Sequence, residues 1–344
     1  NTLALAERFL KANAAELQAL LAARDRWDQP GAAARYPSDL SRGMGAILGH
    51  LESMRSLAKL LCLEALVAAE AGDADRAVDA LAASFALGRS LEDEPVIISY
   101  LVKVAIDAIT TAAVEDVVNR VELGEPQLRR LTDLAAGAYA PRGMARAMAG
   151  ELAMFNVAFD DMRQVTGESG GVVYHLYRFS GLADMDRADY IRYMADLVEA
   201  AQLDPPASVR RAREVEASLG DIAEFRILLR MIVPALGRTF TMDTRCRAQL
   251  RCAELALHLA RHRAARDELP GDLNELTPEY VEAVPTDPWD GDPLRYVADP
   301  NGSFIVYSVG SDATDDGGAR RDADGDAYAP GTDTVFEVRR SRDA

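Results

Sequence analysis

The sequence predicts a mainly α fold that closes with a small α+β unit. A multi-helix domain is expected over residues 1–240. A helix followed by a three-stranded antiparallel sheet is expected within residues 241–344. Three observations carry this. Ala and Leu crowd the first two thirds of the chain, with apolar residues at helical spacing, while aromatics are only 6% of the 344 residues, which favours helices packed through small side chains. From Leu269 onward the composition turns to Pro, Gly and Asp, and the apolar runs shorten to strand length. Asn301-Gly302 then sits between two such runs, where a tight hairpin turn is expected.

The elements follow in order. Leu3, Phe9, Leu10, Leu17, Leu20 and Leu21 give residues 1–26 an amphipathic helical pattern, ended by the Pro30, Gly31 and Pro37 loop. Helices are expected over about 50–71 and 74–91, joined at Gly72-Asp73. Their pairing resembles one tetratricopeptide unit, but no second copy recurs at a fixed period, so an ordinary αα-hairpin is the expectation. Glu94-Pro95 restarts helix for 96–121, and Pro126 suits the first turn of the next, 126–138. Helix is again expected over 141–165, with Gly167–Gly171 a break and Tyr174–Phe179 ambiguous between helix and strand. Further helices are expected over 186–203, 207–218 and 221–236. Asp204-Pro205-Pro206 separates the first two.

A last long helix is expected over 242–267, with its apolar stripe at Cys246, Leu250, Ala253, Leu257 and Ala260. Strands are expected at 294–297, 304–309 and 334–338. The 49% hydrophobic content supports a packed core rather than wholesale disorder. No apolar run is expected to reach the length that spans a bilayer.

A net charge of −17 repels nucleic acid and anionic lipid headgroups, so nucleic-acid binding is not expected. The three cysteines, Cys62, Cys246 and Cys252, have no even, regular spacing and imply no disulfide framework. The chain begins at Asn1, so any membrane attachment is expected only through a segment upstream of it.

The densest chemistry lies between the last two strands. Residues 312–326 hold six carboxylates, Asp312, Asp315, Asp316, Asp322, Asp324 and Asp326, interrupted by glycines. Carboxylates so close repel unless water or a cation screens them. A hard cation such as calcium takes six to eight oxygens from flexible loops. The candidate metal ligands are Asp312, Asp316, Asp324 and Asp326, with backbone carbonyls completing the shell. EF-hand spacing is absent.

Other clusters have plainer readings. Glu254, His258 and His262 recur every four residues on the last helix but lack a metalloprotease motif, so a solvated helix edge is expected. Asp160-Asp161 and Glu92-Asp93-Glu94 are short and lack a second acidic cluster to work with. No phosphate loop, nucleophile elbow or Cys–His pair is evident.

Residues 243–338 resemble the globular part of the major pseudopilin of bacterial type II secretion systems. The matching features, in order, are a helix ending before Leu269-Pro270, Leu273 and Leu276 ahead of Tyr280-Val281, and Val284-Pro285-Thr-Asp287-Pro288-Trp289. Pro293-Leu-Arg-Tyr296, Tyr307-Ser308-Val-Gly310-Ser311-Asp312, Asp316-Gly-Gly318 and Asp333-Thr-Val-Phe336 complete them. The resemblance implies a calcium loop after the Tyr-Ser-x-Gly-x-Asp piece, with Ser311, Asp312 and Asp316 where family ligands cluster. It covers under a third of the chain. A pseudopilin begins with a long hydrophobic helix, whereas about 240 residues of helical sequence stand here instead. The arrangement also looks like bacterial envelope proteins that join a helical region to such a tail.

Together these imply a non-enzymatic, extracytoplasmic envelope protein with a helical scaffold for a protein partner. The alternative is an enzyme with its site in the helical domain or at the seam between domains.

Overall fold

A computed structural model of the chain describes residues 2–27, 36, 49–159, 179–218, 227–320 and 332–340. It is mainly α with a small C-terminal sheet. The helices are α1 (Thr2–Ala12), α2 (Ala14–Trp27), α3 (Gly49–Glu70), α4 (Ala74–Arg89), α5 (Ile97–Val118) and α6 (Glu125–Ala138). They continue with α7 (Gly143–Ala158), α8 (Leu182–Ala200), α9 (Ala207–Ser218) and α10 (Ile227–Arg266). A 3-10 turn at Leu273–Leu276 and strands β1 (Arg295–Ala298), β2 (Phe304–Ser308) and β3 (Thr334–Val338) follow.

Local chemistry sets several boundaries. The expected first helix is two, because Asn13 folds its side-chain amide back onto the Phe9 carbonyl (2.8 Å) between α1 and α2. Gly72 adopts φ +75 after α3, and Asp73 caps α4 by accepting from the Arg76 amide at 3.1 Å. Pro126 lies in the first turn of α6. The Tyr174–Phe179 stretch and the end of the 141–165 helix lie largely outside the described residues.

The largest departure is α10. Two helices were expected, over 221–236 and 242–267, yet one helix of 40 residues runs through Pro234 and Gly237. Residue 240, where the helical part was expected to give way, lies inside it. Its later turns bury Leu250, Ala253, Leu257 and Ala260 in one cluster. That cluster also holds Ala65 of α3, Leu81 of α4, Val114 of α5 and Leu131 of α6, together with Phe304, Val306, Phe336 and Val338 of the sheet. One core therefore serves the helices and the strands.

The sheet order is β1-β2-β3, all antiparallel, with Tyr296 opposite Val306 and Val306 opposite Phe336. At the β1–β2 turn Gly302 takes φ +85, and Asn301 accepts the Ser303 amide at 2.8 Å. The outer edge of β3 meets side chains from the last turns of α5 and its C-cap, Asn119. Asn119 donates to the Glu337 carbonyl (2.8 Å) and accepts from the Arg339 amide (2.7 Å), and Glu115 accepts from the Glu337 amide (3.2 Å). Two helical side chains thus take the place of a fourth strand, covering an edge that would otherwise invite pairing.

The expectation that no apolar run reaches bilayer length needs correcting. Helix α5 has 22 residues and is apolar enough to cross a membrane, and 61% of its apolar window is buried inside the protein. Its two interior charges, Lys103 and Asp107, are buried and pair with each other.

Candidate functional site

The pieces that prompted the pseudopilin resemblance bind one another. Asp287, fully buried, accepts from the Trp289 amide (2.9 Å) and the Ser308 hydroxyl (2.7 Å) through Oδ1. Its Oδ2 accepts from the Val309 amide (2.8 Å) and Arg295 Nη1 (2.7 Å). The Asp-Pro-Trp turn and the end of β2 are therefore tied by a single carboxylate with both oxygens satisfied. Arg295 also pairs with Asp290 and lies 3.8 Å from Asp315.

The acidic loop leaves β2 immediately after this hub. Ser311 is half-buried and Asp312 exposed. Asp312 is used locally, accepting the Thr314 amide at 3.0 Å. No described hydrogen bond or ion pair joins it to Asp316. Asp315 accepts from the Tyr307 hydroxyl (3.1 Å) and the Gly317 amide (2.9 Å). Asp316 is exposed. Asp324 and Asp326 lie outside the described residues.

One further carboxylate, outside the dense acidic run, borders this loop. Asp333, only 4% exposed just before β3, accepts the Gly318 amide at 2.8 Å through Oδ2, while its Oδ1 is buried with no hydrogen-bond partner among the described residues. Burial pushes its pKa up. The Gly318 amide offsets part of that, the nearby Asp316 and Asp315 carboxylates push it up further, and the Asp316 backbone amide pulls it back a little. Gly318 holds the geometry: it adopts φ +80, and a Cβ there would stand 2.4 Å from Ile305 Cδ1.

An orphaned, buried carboxylate oxygen beside two more carboxylates suits a hard cation. Among the described residues, no three His, Cys, Asp or Glu side chains converge closely enough to hold a metal by themselves. Backbone carbonyls would have to supply the remaining donors.

The histidine reading is corrected. His258 and His262 are 7% and 1% exposed, not on a solvated edge. Both rings pack against Tyr280, at 6.5 and 5.7 Å between centroids. Tyr280 comes from the loop after α10 and covers a helix face that periodicity alone leaves open. Burial, helped by Arg261, pulls the His258 pKa down to about 4, with Asp133 and Glu125 opposing. His262 Nδ1 lies 3.1 Å from the Glu268 carbonyl, and its Nε2 is buried with no hydrogen-bond partner among the described residues.

A second polar cluster was not foreseen. Between α5 and α10, Lys103 bonds Asp107 (2.7 Å) and the Ala138 carbonyl (2.6 Å). Tyr100 donates to Asp243, and Asp243 bonds Arg247 at 2.9 Å. Arg247 lies over the Tyr139 ring at 3.8 Å and reaches toward Asp204 at 3.6 Å. Burial dominates at Asp107 and raises its pKa, with Lys103 offsetting part. Burial likewise raises the Cys246 thiol, keeping it protonated and unreactive. Cys62, Cys246 and Cys252 are all free and buried. Of the short acidic pairs, Glu94 bonds His50 at 3.0 Å and Asp93 pairs with Arg146. Asp160-Asp161 lies outside the described residues.

No protein-family model matches this chain, and no curated protein or solved structure matches it either.

Proposed function

We propose that this chain is a non-enzymatic protein of the bacterial cell envelope. Its helical body offers a scaffold surface to a protein partner, and its C-terminal unit is a calcium-stabilised, pseudopilin-like module. The observation that carries the reading is the buried Asp333 oxygen near Asp315 and Asp316, which has no hydrogen-bond partner among the described residues. Asp333 and Asp316 would hold the ion, with Ser311, Asp312, Asp324 and Asp326 as further candidate donors. Calcium supplies charge neutralisation only, and a ligand that binds the folded state alone stabilises it by mass action.

The resemblance of residues 243–338 to the pseudopilin globular part supports an extracytoplasmic setting, where calcium is abundant. The partner surface is supported by α1, where Leu5 and Phe9, one helical turn apart, are 64% and 53% exposed. The ionisable groups buried between α5 and α10 are bound chiefly to one another, which fits a scaffolding role for the helices.

The test is thermal unfolding with calcium against a chelator. Calcium near 1 mM should raise Tm by about 1–3 °C, as expected from about 1–2 kcal/mol of linkage. Asp333→Asn should abolish the rise. A Tm indifferent to calcium in the native chain overturns the metal assignment.

A further inference from the structure

A cleft of about 780 Å3 opens at the seam where the α5–α6 turn, the end of α10 and the β1–β2 hairpin meet. None of its lining residues belongs to the acidic loop. Two arginines converge in it on Gly302. Arg263 Nη1 donates to the Gly302 carbonyl at 2.9 Å, and its guanidinium lies 5.5 Å from the Phe304 ring centroid. Arg340 lies against the same glycine: a Cβ on Gly302 would come within 3.1 Å of Arg340 Cδ and 3.4 Å of its Nη1.

Among the described residues neither guanidinium has a carboxylate partner, in a chain whose net charge is −17. The contrast with their neighbours is direct. Arg120 and Arg339 line the same cleft, and both are engaged, with Glu70 and Asp116 and with Glu337 respectively. Glu122, Asp267, Glu268 and Asp299 also line it, yet none makes an ion pair with Arg263 or Arg340. Burial lowers the Arg263 pKa, and the Arg340 charge lowers it further, so the two cations repel across a partly dry space. Leu123, Leu128 and Leu269 provide apolar wall beside them.

We propose that this cleft binds a small organic acid, with one carboxylate held by Arg263 and Arg340 and an apolar body against Leu123, Leu128 and Leu269. An arginine pair is suited to forked recognition of a planar oxyanion. The four carboxylates of the lining balance its four arginines. A single localised head group gains from the site, while a polyphosphate meets repulsion.

The test uses the full chain, titrated calorimetrically with hexanoate and, separately, with inorganic phosphate. Hexanoate should saturate with Kd below about 1 mM, and phosphate should bind more weakly. Arg340 is exposed and carries no ion pair among the described residues, so Arg340→Ala should fold normally and weaken hexanoate by about tenfold or more, with Arg340→Lys intermediate. Arg120→Ala should leave Kd within about twofold, since that side chain is already paired. Arg263→Ala should reproduce the loss. Absence of saturable hexanoate binding, hexanoate binding unchanged by both Arg263→Ala and Arg340→Ala, or phosphate binding more tightly than hexanoate would each overturn the assignment.

Discussion

Two regions concentrate charge in this protein, and they handle it oppositely. Between α5 and α10, Tyr100, Lys103, Asp107, Asp243 and Arg247 are all at most 4% exposed, and each bonds another of the set. Around the acidic loop, Asp312, Asp315 and Asp316 face solvent, and buried Asp333 has no cation partner among the described residues; Asp107 and Asp333 each keep one oxygen without a hydrogen bond there, but Asp107 has Lys103 beside it. Desolvation explains the difference. Charges sealed between two helices must neutralise one another inside the fold, because an isolated buried ion costs several kcal/mol. A loop at the surface can carry excess carboxylate and leave the balance to an ion from outside.

The sharpest way to break this contrast is to remove half of a sealed pair. Lys103→Met leaves Asp107 buried without its cation and should cost about 3–5 kcal/mol in urea unfolding. Lys103→Met with Asp107→Leu should recover most of the loss. A single substitution costing less than about 1 kcal/mol would mean water already reaches that pair.

His258 sharpens the comparison, since it is buried without being charged. Its folded pKa, about 4, lies below the unfolded value of about 6.5. The neutral ring therefore contributes stability that is fully present above pH 6.5 and is lost as pH falls through the window down to about 4. The loss should be on the order of 2 kcal/mol across that window, and His258→Gln should flatten it in guanidinium melts taken at successive pH values. A slope unchanged by the substitution would assign the acid sensitivity to other groups.

The smallest effect should come from the loop itself. Gly318→Ala meets both the positive φ and the Ile305 contact, and should cost about 1–2 kcal/mol. Indifference there would mean the loop is free to rearrange around β2.

Much of this was legible in the chain. The spacing of apolar residues located nearly every helix, because an amphipathic stripe is a local property. Asn301-Gly302 and the short apolar runs located the sheet for the same reason. The Asp-Pro-Trp and Tyr-Ser pieces were visible as separate motifs, while the carboxylate that joins them required the fold. What sequence did not reveal is tertiary. Tyr100 meets Asp243 across 143 positions. Tyr280 covers two histidines that periodicity placed in water. Asp333 precedes a strand, apart from the dense acidic run, so it did not stand out as a ligand. The continuity of α10 was hidden because Pro234 and Gly237 suggest a break, and helical packing overrides that local preference.

A helix of 40 residues is about 60 Å long. Because α10 reaches the polar cluster at one level and underlies the strands at another, it is a shared spine rather than a connector. Severing the chain near residue 240 would strip both parts of a common wall, exposing Leu250 and Leu257 on one fragment and Ala65 and Leu131 on the other. The protein should therefore melt in a single transition, and limited proteolysis should release no stable tail.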